Sequence, residues 1–341
     1  MAPLPKTMKA WIISRAGQPK DVLQFKPDWP TPAPPKGGDI MVKVSYSALN
    51  PLDLVMMRMP RPLMGNAIPG ADFVGQVVQV GPSIPASLNV RVGMTVCGTI
   101  PTMQILSGSG GTLAEYLVLP AHMVTEKPSA LDDGAAAALT GVPGQTTAIL
   151  VRAAGLRAGD RVLVNGASGG VGTVLLQVLR AAGVHVTGVC SGKNEAMVRR
   201  LGAEEVVDYT AHKSLYDHLL TTYKDSPFDK ILDCIGDETL FKRCPGYLKP
   251  EGQFLCIAGK LLSGIKFKML PVMLGGTKRS YFHIMNGPAG SGAREVAGWV
   301  DKGWIKEVAI DSTFEMDAAI EAYEKLASKR AAGKILIKVG N

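Results

Sequence analysis

The chain has 341 residues, of which 46% are hydrophobic, and it carries a formal net charge of +8. This length can hold two domains with separate cores. No uncharged apolar run reaches the ~20 residues that a membrane-spanning helix needs, and the first residues show no apolar stretch of the signal-peptide type. The sequence therefore predicts no integral membrane segment and a cytoplasmic location.

The distribution of charges and cysteines argues against nucleic-acid-binding, disulfide-rich and cysteine-zinc proteins. Lysine and arginine residues are scattered without a basic block or interleaved aromatic residues, so we expect no nucleic-acid partner. The five cysteines are widely spaced and form no C-x-x-C pair, which indicates neither a disulfide framework nor a cysteine zinc site. They are Cys97, Cys190, Cys234, Cys244 and Cys256.

The first part of the chain, about 130 residues long, is predicted to be β structure. Alternating or β-branched segments separated by proline and glycine are typical of short strands. They lie at residues 40–49, 70–81, 88–98 and 111–120. Strands at such close spacing predict a small barrel rather than a parallel sheet.

The pattern changes near residue 134. A helical segment follows, which we expect Pro143 to interrupt, and short apolar strands then alternate with helical segments. This alternation predicts a parallel, doubly wound sheet. Its predicted strands are 160–166, 185–190, 204–209, 230–236, 253–259 and 280–285. A last strand at 334–340 is expected to pair back into the first domain.

The segment VLVNGASGGVGTVLLQVL, residues 162–179, fits three different enzyme motifs. As G-x-S-x-G it would present Ser168 as a hydrolase nucleophile, with Asp233 and His283 as nominal partners, but no H-G-G-G loop precedes it. As a short-chain dehydrogenase loop it would need Y-x-x-x-K on a long helix. The match at Tyr209 and Lys213 comes too early and follows a strand.

A dinucleotide-binding loop is the interpretation that fits best. Small residues allow a tight turn and a close approach of the backbone to a pyrophosphate, and Gly172 lets the helix pack against the strand. The start of the helix offers free N–H groups and a partial positive charge to the phosphates. The predicted phosphate-binding residues are Ser168, Gly169, Gly170, Val171 and Gly172.

The end of the next strand indicates which dinucleotide is bound. An NAD site usually carries an acid about 20 residues after the glycine loop, where it binds the ribose 2′-hydroxyl. Here that strand ends in Cys190-Ser191-Gly192-Lys193 without an acid. Ser191 can donate to a 2′-phosphate and Lys193 can pair with its charge, so we predict a preference for NADP(H).

The chain resembles the medium-chain dehydrogenase/reductase superfamily, in particular its zinc-free quinone oxidoreductase and enoyl reductase branch. The resemblance rests on ALNPLD (48–53), PGADFVGQVVQVG (69–81), GTLAEY (111–116), LTGVPGQTTA (139–148), GDRVLVNGASGGVG (159–172), GAEEVVDY (202–209), DCIG (233–236) and AGKILIKV (332–339). It implies an α/β protein with a GroES-like, β-rich substrate domain (1–133 and 288–341) and a Rossmann, doubly wound domain (134–287). It also implies an active site in the cleft between them and a homodimer.

The same resemblance predicts that zinc is absent. Zinc-dependent members of the family hold the metal with Cys, His and Cys, whereas the first ligand position here is near Asn50 and the His-Glu pair is replaced by Ala71-Asp72. These residues supply no tetrahedral nitrogen and sulfur site. Without a metal to stabilise an alkoxide, hydride delivery to an activated C=C is easier than alcohol oxidation.

Several cofactor contacts follow from the resemblance alone. Asn50 is expected near the nicotinamide ribose, where it also counts as a catalytic candidate, and Thr140 near the nicotinamide. Tyr209 is expected near the adenosine phosphate, and Lys334 near the cofactor. The end of the strand at Ile257 and Ala258 should bring backbone groups to the carboxamide. Local alternatives are an Asx turn at Asn50 and helix capping at Thr140.

A second catalytic candidate is Lys260, in the pair Gly259-Lys260. Some enoyl reductase domains that this chain resembles use such a lysine with an aspartate farther along the chain. Asn286 stands at that offset here, so only half of the pattern is present. Lys260 could supply the proton that completes the reaction, and water is the alternative donor.

These observations predict an NADPH-dependent reductase of an enone, a quinone or an acyl substrate. One alternative is a trans-acting enoyl reductase of a polyketide or fatty-acyl synthase, which would have an acyl-carrier protein as its partner. Another is a protein that binds NADPH without catalysis.

Overall fold

The computed structural model describes residues 4–59, 65–107, 110–259, 267, 277–285, 287 and 289–340. The chain divides into two compact units, one of residues 1–145, 287–302 and 308–341 and the other of residues 146–286 and 303–307. The domain boundary predicted at residue 134 stays a prediction.

The strands and helices have the following bounds. The strands are β1 (Thr7–Ile13), β2 (Leu23–Pro30), β3 (Asp39–Ala48), β4 (Asp72–Val80), β5 (Thr95–Thr99), β6 (Tyr116–Pro120), β7 (Val124–Glu126), β8 (Arg161–Asn165), β9 (His185–Cys190), β10 (Glu205–Asp208), β11 (Phe228–Asp233), β12 (Leu248–Cys256), β13 (Ser280–His283), β14 (Ile310–Glu315) and β15 (Lys334–Lys338). The helices are α1 (Pro19–Val22), α2 (Pro51–Arg58), α3 (Thr102–Ser107), α4 (Asp133–Thr140), α5 (Val142–Ala154), α6 (Gly170–Ala181), α7 (Glu195–Leu201), α8 (Leu215–Tyr223), α9 (Glu238–Arg243), α10 (Gly290–Asp301) and α11 (Ala319–Ala327). No helix among the described residues is long and apolar enough to cross a membrane.

The first unit is built on a seven-stranded sheet. Its order is β14-β15-β3-β4-β5-β7, with β6 also paired to β3, and β1 and β2 form a separate hairpin. The ten residues of β3 pair antiparallel with β4, β6 and β15, so β3 is the centre of the sheet. The pairing of β15 with β3 confirms that the last predicted strand returns to the first domain. Side chains from these strands and α11 form one apolar core.

The second unit contains a six-stranded sheet in the order β10-β9-β8-β11-β12-β13. Every pair in it is parallel. This confirms the predicted doubly wound α/β fold. The direction of winding reverses at β8, so the loops that follow β8 and β11 lie at the switch point where such sheets bind their ligands.

The predicted interruption of this helical segment is confirmed: the break lies between α4 and α5, just before Pro143. Helix α4 ends at Thr140 and α5 begins at Val142, so the break lies at Gly141. The carboxyl of Asp72 lies at the break: its Oδ1 accepts from the Val142 N–H at 2.9 Å, and a Cβ on Gly141 would lie 2.2 Å from Asp72 Cγ. Pro143 is tolerated in the first turn of α5, because N–H groups there have no partner within the helix.

Candidate functional site

The glycine loop between β8 and α6 has the geometry of a phosphate-binding loop. Gly166 has a φ of +79°, which favours glycine, and Gly169 precedes the first turn of α6. A Cβ on Gly172 would lie 2.3 Å from the carbonyl oxygen of Gly166, so only glycine lets the helix start this close to the loop. Residues 168–171 are half-buried, and the first N–H groups of α6 have no partner inside the helix. These features fit a pyrophosphate.

The surroundings of Ser168 do not suit a nucleophile. His283, its nominal base, lies on β13, which is three strands from β8 and therefore about 14 Å away at ordinary strand spacing. The carboxylate of Asp233 accepts bonds from the Asn165 amide and from the N–H groups of Ile235, Gly236 and Asp237. It therefore orders the turn after β11, and the hydrolase interpretation has no triad.

The ends of β9 and β10 bring Ser191 and Tyr209 together. Cys190 and Asp208 are partners in the parallel register, and the Tyr209 N–H donates to the Cys190 carbonyl at 3.1 Å. Ser191 Oγ accepts from Asn194 Nδ2 at 3.3 Å. Lys193 is exposed, and no ion pair of its ammonium occurs within the described part of the chain. A serine hydroxyl, an ammonium group and an exposed phenol thus lie at one corner of the sheet.

Asp208 is a functional candidate that sequence reasoning missed. Its carboxylate accepts from the Thr210 hydroxyl at 2.6 Å and from the Thr210 N–H at 2.8 Å, which lowers its pKa. It also accepts from the Gly192 N–H, and a Cβ on Gly192 would lie 2.3 Å from Asp208 Oδ2. An acid therefore stands beside the turn that carries Lys193, although the end of β9 has none.

The ends of β11 and β12 approach each other through two glycines. Gly236 and Gly259 have φ values of +85° and +90°, and a Cβ on Gly236 would lie 2.6 Å from the Gly259 nitrogen. The Ile257 N–H donates to the Asp233 carbonyl at 3.1 Å, and the Ala258 carbonyl accepts from the Cys256 thiol at 3.0 Å. Within the described residues, no hydrogen bond of the Ile257 carbonyl or of the Ala258 N–H is found.

A buried polar cluster lies in the first unit, where β3 meets α2. Lys334 Nζ donates to the Leu49 carbonyl and to Asn50 Oδ1, both at 2.7 Å, and lies 3.4 Å from Asp72 Oδ2. Asn50 Nδ2 donates to the same Asp72 oxygen at 2.8 Å. Burial lowers the pKa of Lys334, and the charge of Asp72 opposes that shift. The cluster fixes which way the Asn50 amide faces.

Asn50, Lys334 and Thr140 already have hydrogen-bond partners within the first unit. Asn50 Oδ1 accepts from Lys334 Nζ and Asn50 Nδ2 donates to Asp72 Oδ2, so both ends of the amide have partners within the first unit. The Lys334 ammonium has three partners within the first unit. Thr140, at the end of α4, donates to the Ala136 carbonyl at 2.9 Å. Their predicted contacts with the cofactor stay predictions, as do those of the other site residues. Lys260 and Asn286 lie outside the described residues.

The residues at the zinc positions of related enzymes do not fit a zinc ion. Asn50 and Asp72 supply amide and carboxylate oxygens in place of the usual nitrogen and sulfur donors, and both contact the Lys334 ammonium. In the described ranges, no group of three His, Cys, Asp or Glu side chains could hold a metal ion.

Comparisons with known proteins agree with this architecture. Residues 36–129 match the family described as alcohol dehydrogenase GroES-like domain, and residues 201–337 match the zinc-binding dehydrogenase family. The medium chain reductase pydE of Acremonium sp is 36% identical over 98% of this chain and 100% of that protein. The trans-enoyl reductase pgmF of Aspergillus terreus is 32% identical over 98% of this chain and 97% of that protein.

A solved structure shares the fold. The quinone oxidoreductase from Coxiella burnetii superposes with a TM-score of 0.82 at 24% identity, over 98% of this chain and 100% of that one. This structure shows the same fold, and the two sequence relatives and the two family matches show the family. The chain belongs to the medium-chain dehydrogenase/reductase superfamily, a family of oxidoreductases that bind a nicotinamide dinucleotide.

Proposed function

We propose that this protein is an NADPH-dependent reductase that delivers hydride to the activated C=C of an α,β-unsaturated carbonyl, or to a quinone, without a metal ion. The observation that carries the proposal is the loop at 166–172, with its close approach of Gly172 to the Gly166 carbonyl, at the switch point of a parallel sheet. When bound, the dinucleotide supplies the hydride.

The residues of the second unit would hold the dinucleotide. The N–H groups at the start of α6 face the pyrophosphate, and Gly169 to Gly172 leave room for it. Ser191 and Lys193 bind the 2′-phosphate, and Tyr209 covers the adenosine side. The Ile257 carbonyl and the Ala258 N–H match the two polar groups of a carboxamide.

The donor set of the first unit supports alkene or quinone reduction over alcohol oxidation. One matching family is described as zinc-binding, yet the positions expected to hold zinc form an amide–ammonium–carboxylate cluster here. Asn50 and Lys334 cannot polarise an alcohol as a Lewis acid would. Hydride transfer to a β-carbon needs only donors for the developing enolate oxygen.

A second candidate is a trans-acting enoyl reductase whose substrate is carried on an acyl-carrier protein. The relative pgmF, 32% identical, is named a trans-enoyl reductase. The net charge of +8 would favour encounter with an acidic carrier domain. Comparing one unsaturated acyl group as a free thioester and on a carrier protein separates the two candidates.

The test is NADPH oxidation against a panel of enones, quinones and acyl thioesters, with NADPH binding measured in parallel. We expect turnover with at least one member of the panel and weaker activity with NADH. NADPH binding without turnover of any member would contradict the proposal and indicate a non-catalytic NADPH-binding protein. The expected dimer is checked separately by light scattering.

A further inference from the structure

The proposed function assigns no role to the carboxyl of Asp53. Asp53 lies in the first turn of α2 and is only 4% exposed. Its Oδ2 accepts from the Asn50 N–H at 2.8 Å, which fixes the carboxyl at the start of the helix. No partner of its other oxygen is found within the described residues. Asp53 is therefore held in place by one oxygen and can use the other.

A small cavity of the first unit lies against this carboxyl. Asp53 is the one ionisable residue among the described residues that line it, and the others offer apolar surface or backbone. They are Ile13, Met56, Met57, Ile68, Pro69 and Gly70. A charged carboxylate is poorly solvated against such walls, so the neutral, protonated acid is favoured.

The charges around Asp53 only partly oppose the rise in its pKa that burial causes. Asp72 on β4 disfavours ionisation and Lys334 on β15 favours it, but the Lys334 ammonium already has nearer partners. On α11, the Tyr323 hydroxyl is buried and has no hydrogen-bond partner in the described part of the chain. Helix α1 buries only Pro19 and Val22 and leaves Lys20 and Asp21 exposed. Burial, the largest cause, raises the pKa of Asp53 to about 7.

We propose that the Asp53 carboxyl is the acid that protonates the α-carbon of the substrate after hydride transfer, an inference that rests on the proposed reduction of an enone. Hydride adds to the β-carbon with two electrons, and the π electrons of the C=C move onto the enolate. The enolate α-carbon then takes the proton of Asp53, a C–H bond forms, and the carboxylate that remains is reprotonated by solvent.

Quinones provide an internal comparison. Hydride addition to a quinone produces a hydroquinone oxyanion, and oxygen exchanges protons with water without the help of a positioned acid. Carbon protonation, in contrast, gains about 10²–10⁴-fold from a general acid. An acid that serves the α-carbon should therefore matter for enones and not for quinones.

The experiment measures kcat and kcat/KM of wild type, Asp53→Asn and the control Asp28→Asn on an α-methyl enone and on a quinone. Asparagine can still accept from the Asn50 N–H, so α2 keeps its start, and Asp28 is an exposed carboxyl of the same unit. We expect Asp53→Asn to lower kcat on the enone by ~10²-fold or more. On the quinone its kcat should stay within threefold of wild type, as should Asp28→Asn on both. The enantiomeric excess at the α-carbon should fall, because water protonates both faces.

The pH profile of wild type gives a second measurement that needs no variant. The acid must be protonated, so kcat/KM for the enone should fall tenfold per pH unit above pH 7, while the quinone profile stays flat over the same range.

Three results would overturn the inference. They are an equal loss on both substrates, an unchanged enone rate in Asp53→Asn, and a large loss confined to Lys260→Ala. If wild type binds NADPH but reduces neither substrate, the proposed function itself fails. If wild type reduces only quinones, the quinone part of that function holds and the Asp53 inference is wrong.

Discussion

Lys193 and Asp208 are two opposite charges at the corner formed by β9 and β10. Lys193 is exposed and can pair with an added phosphate, whereas the Asp208 carboxylate is occupied by the N–H of Gly192 and by Thr210. These bonds hold the turn that carries Lys193 and direct the acid toward the backbone. This arrangement supports the proposed preference for a cofactor with a 2′-phosphate.

Replacing Lys193 by alanine tests this preference. An ammonium–phosphate hydrogen bond contributes about 1.5–3 kcal/mol, so the Kd for NADPH should rise about tenfold or more. The Kd for NADH should change less than twofold, because NADH has no 2′-phosphate. Titration calorimetry measures both, with Lys224→Ala as the exposed lysine control in the same unit. An equal loss for both cofactors would mean that Lys193 does not contact the 2′-phosphate.

Asp53 links stability to pH. Burial raises its pKa from 3.8 to about 7, so the folded chain holds a proton that the unfolded chain releases first as pH rises. Wild type therefore loses stability between about pH 4 and pH 7 through this group, whereas Asp53→Asn does not titrate. At about 1.36 kcal/mol per pH unit, the variant should gain at most about 4 kcal/mol relative to wild type.

Urea unfolding of both proteins between pH 4 and pH 8 measures this difference. We expect the difference in the free energy of unfolding to rise up to pH 7 and then level off. A constant difference across that range would show that Asp53 ionises as an ordinary exposed aspartate does.

At the scale of elements, the turn from β8 into α6 determines how closely a ligand can approach the helix. The turn depends on Gly172, where a Cβ would meet two backbone carbonyl oxygens, of Gly166 at 2.3 Å and of Ala167 at 2.7 Å. Backbone atoms cannot move aside as a flexible side chain can. The glycine is therefore needed for the fold of the loop, on which the proposed phosphate site depends.

Gly172→Ala should therefore lower the stability of the protein and weaken its binding of NADPH. Overpacking typically costs about 1–3 kcal/mol, and the displaced loop should bind NADPH at least about tenfold more weakly. The control is Gly298→Ala on α10, where a Cβ would meet nothing within 4 Å and alanine should stabilise the helix by up to about 1 kcal/mol. Urea unfolding and NADPH titration report the two effects. A Gly172→Ala protein as stable as wild type with unchanged NADPH affinity would contradict the geometry of the loop.

Much of the architecture of the whole molecule could be predicted from sequence, because hydrophobic patterns repeat with the period of each element. The alternation after residue 134 predicted the parallel sheet, and the segment at 334–340 predicted β15. The pattern did not predict α2, which begins at Pro51 just after β3.

The site was harder to predict, because its contacts join residues that are distant in the chain. Parallel register brings Asp208 to Gly192, and the sheet of the first unit brings Lys334 to Asn50. Nothing in ALNPLD shows that Asp53 faces an apolar cavity, since that depends on Ile13 and Ile68 from elsewhere. Burial of a charged group is a property of the folded chain.

Isotope transfer distinguishes hydride delivery to a carbon–carbon double bond from reduction of the carbonyl group. The protein is given an α,β-unsaturated carbonyl compound and NADPH in which both hydrogens at C4 of the dihydronicotinamide are deuterium. The product is analysed by NMR and mass spectrometry. We expect one deuterium at the β-carbon of a saturated carbonyl product for each NADPH oxidised. Deuterium at the former carbonyl carbon of an alcohol product, with the C=C intact, would contradict it.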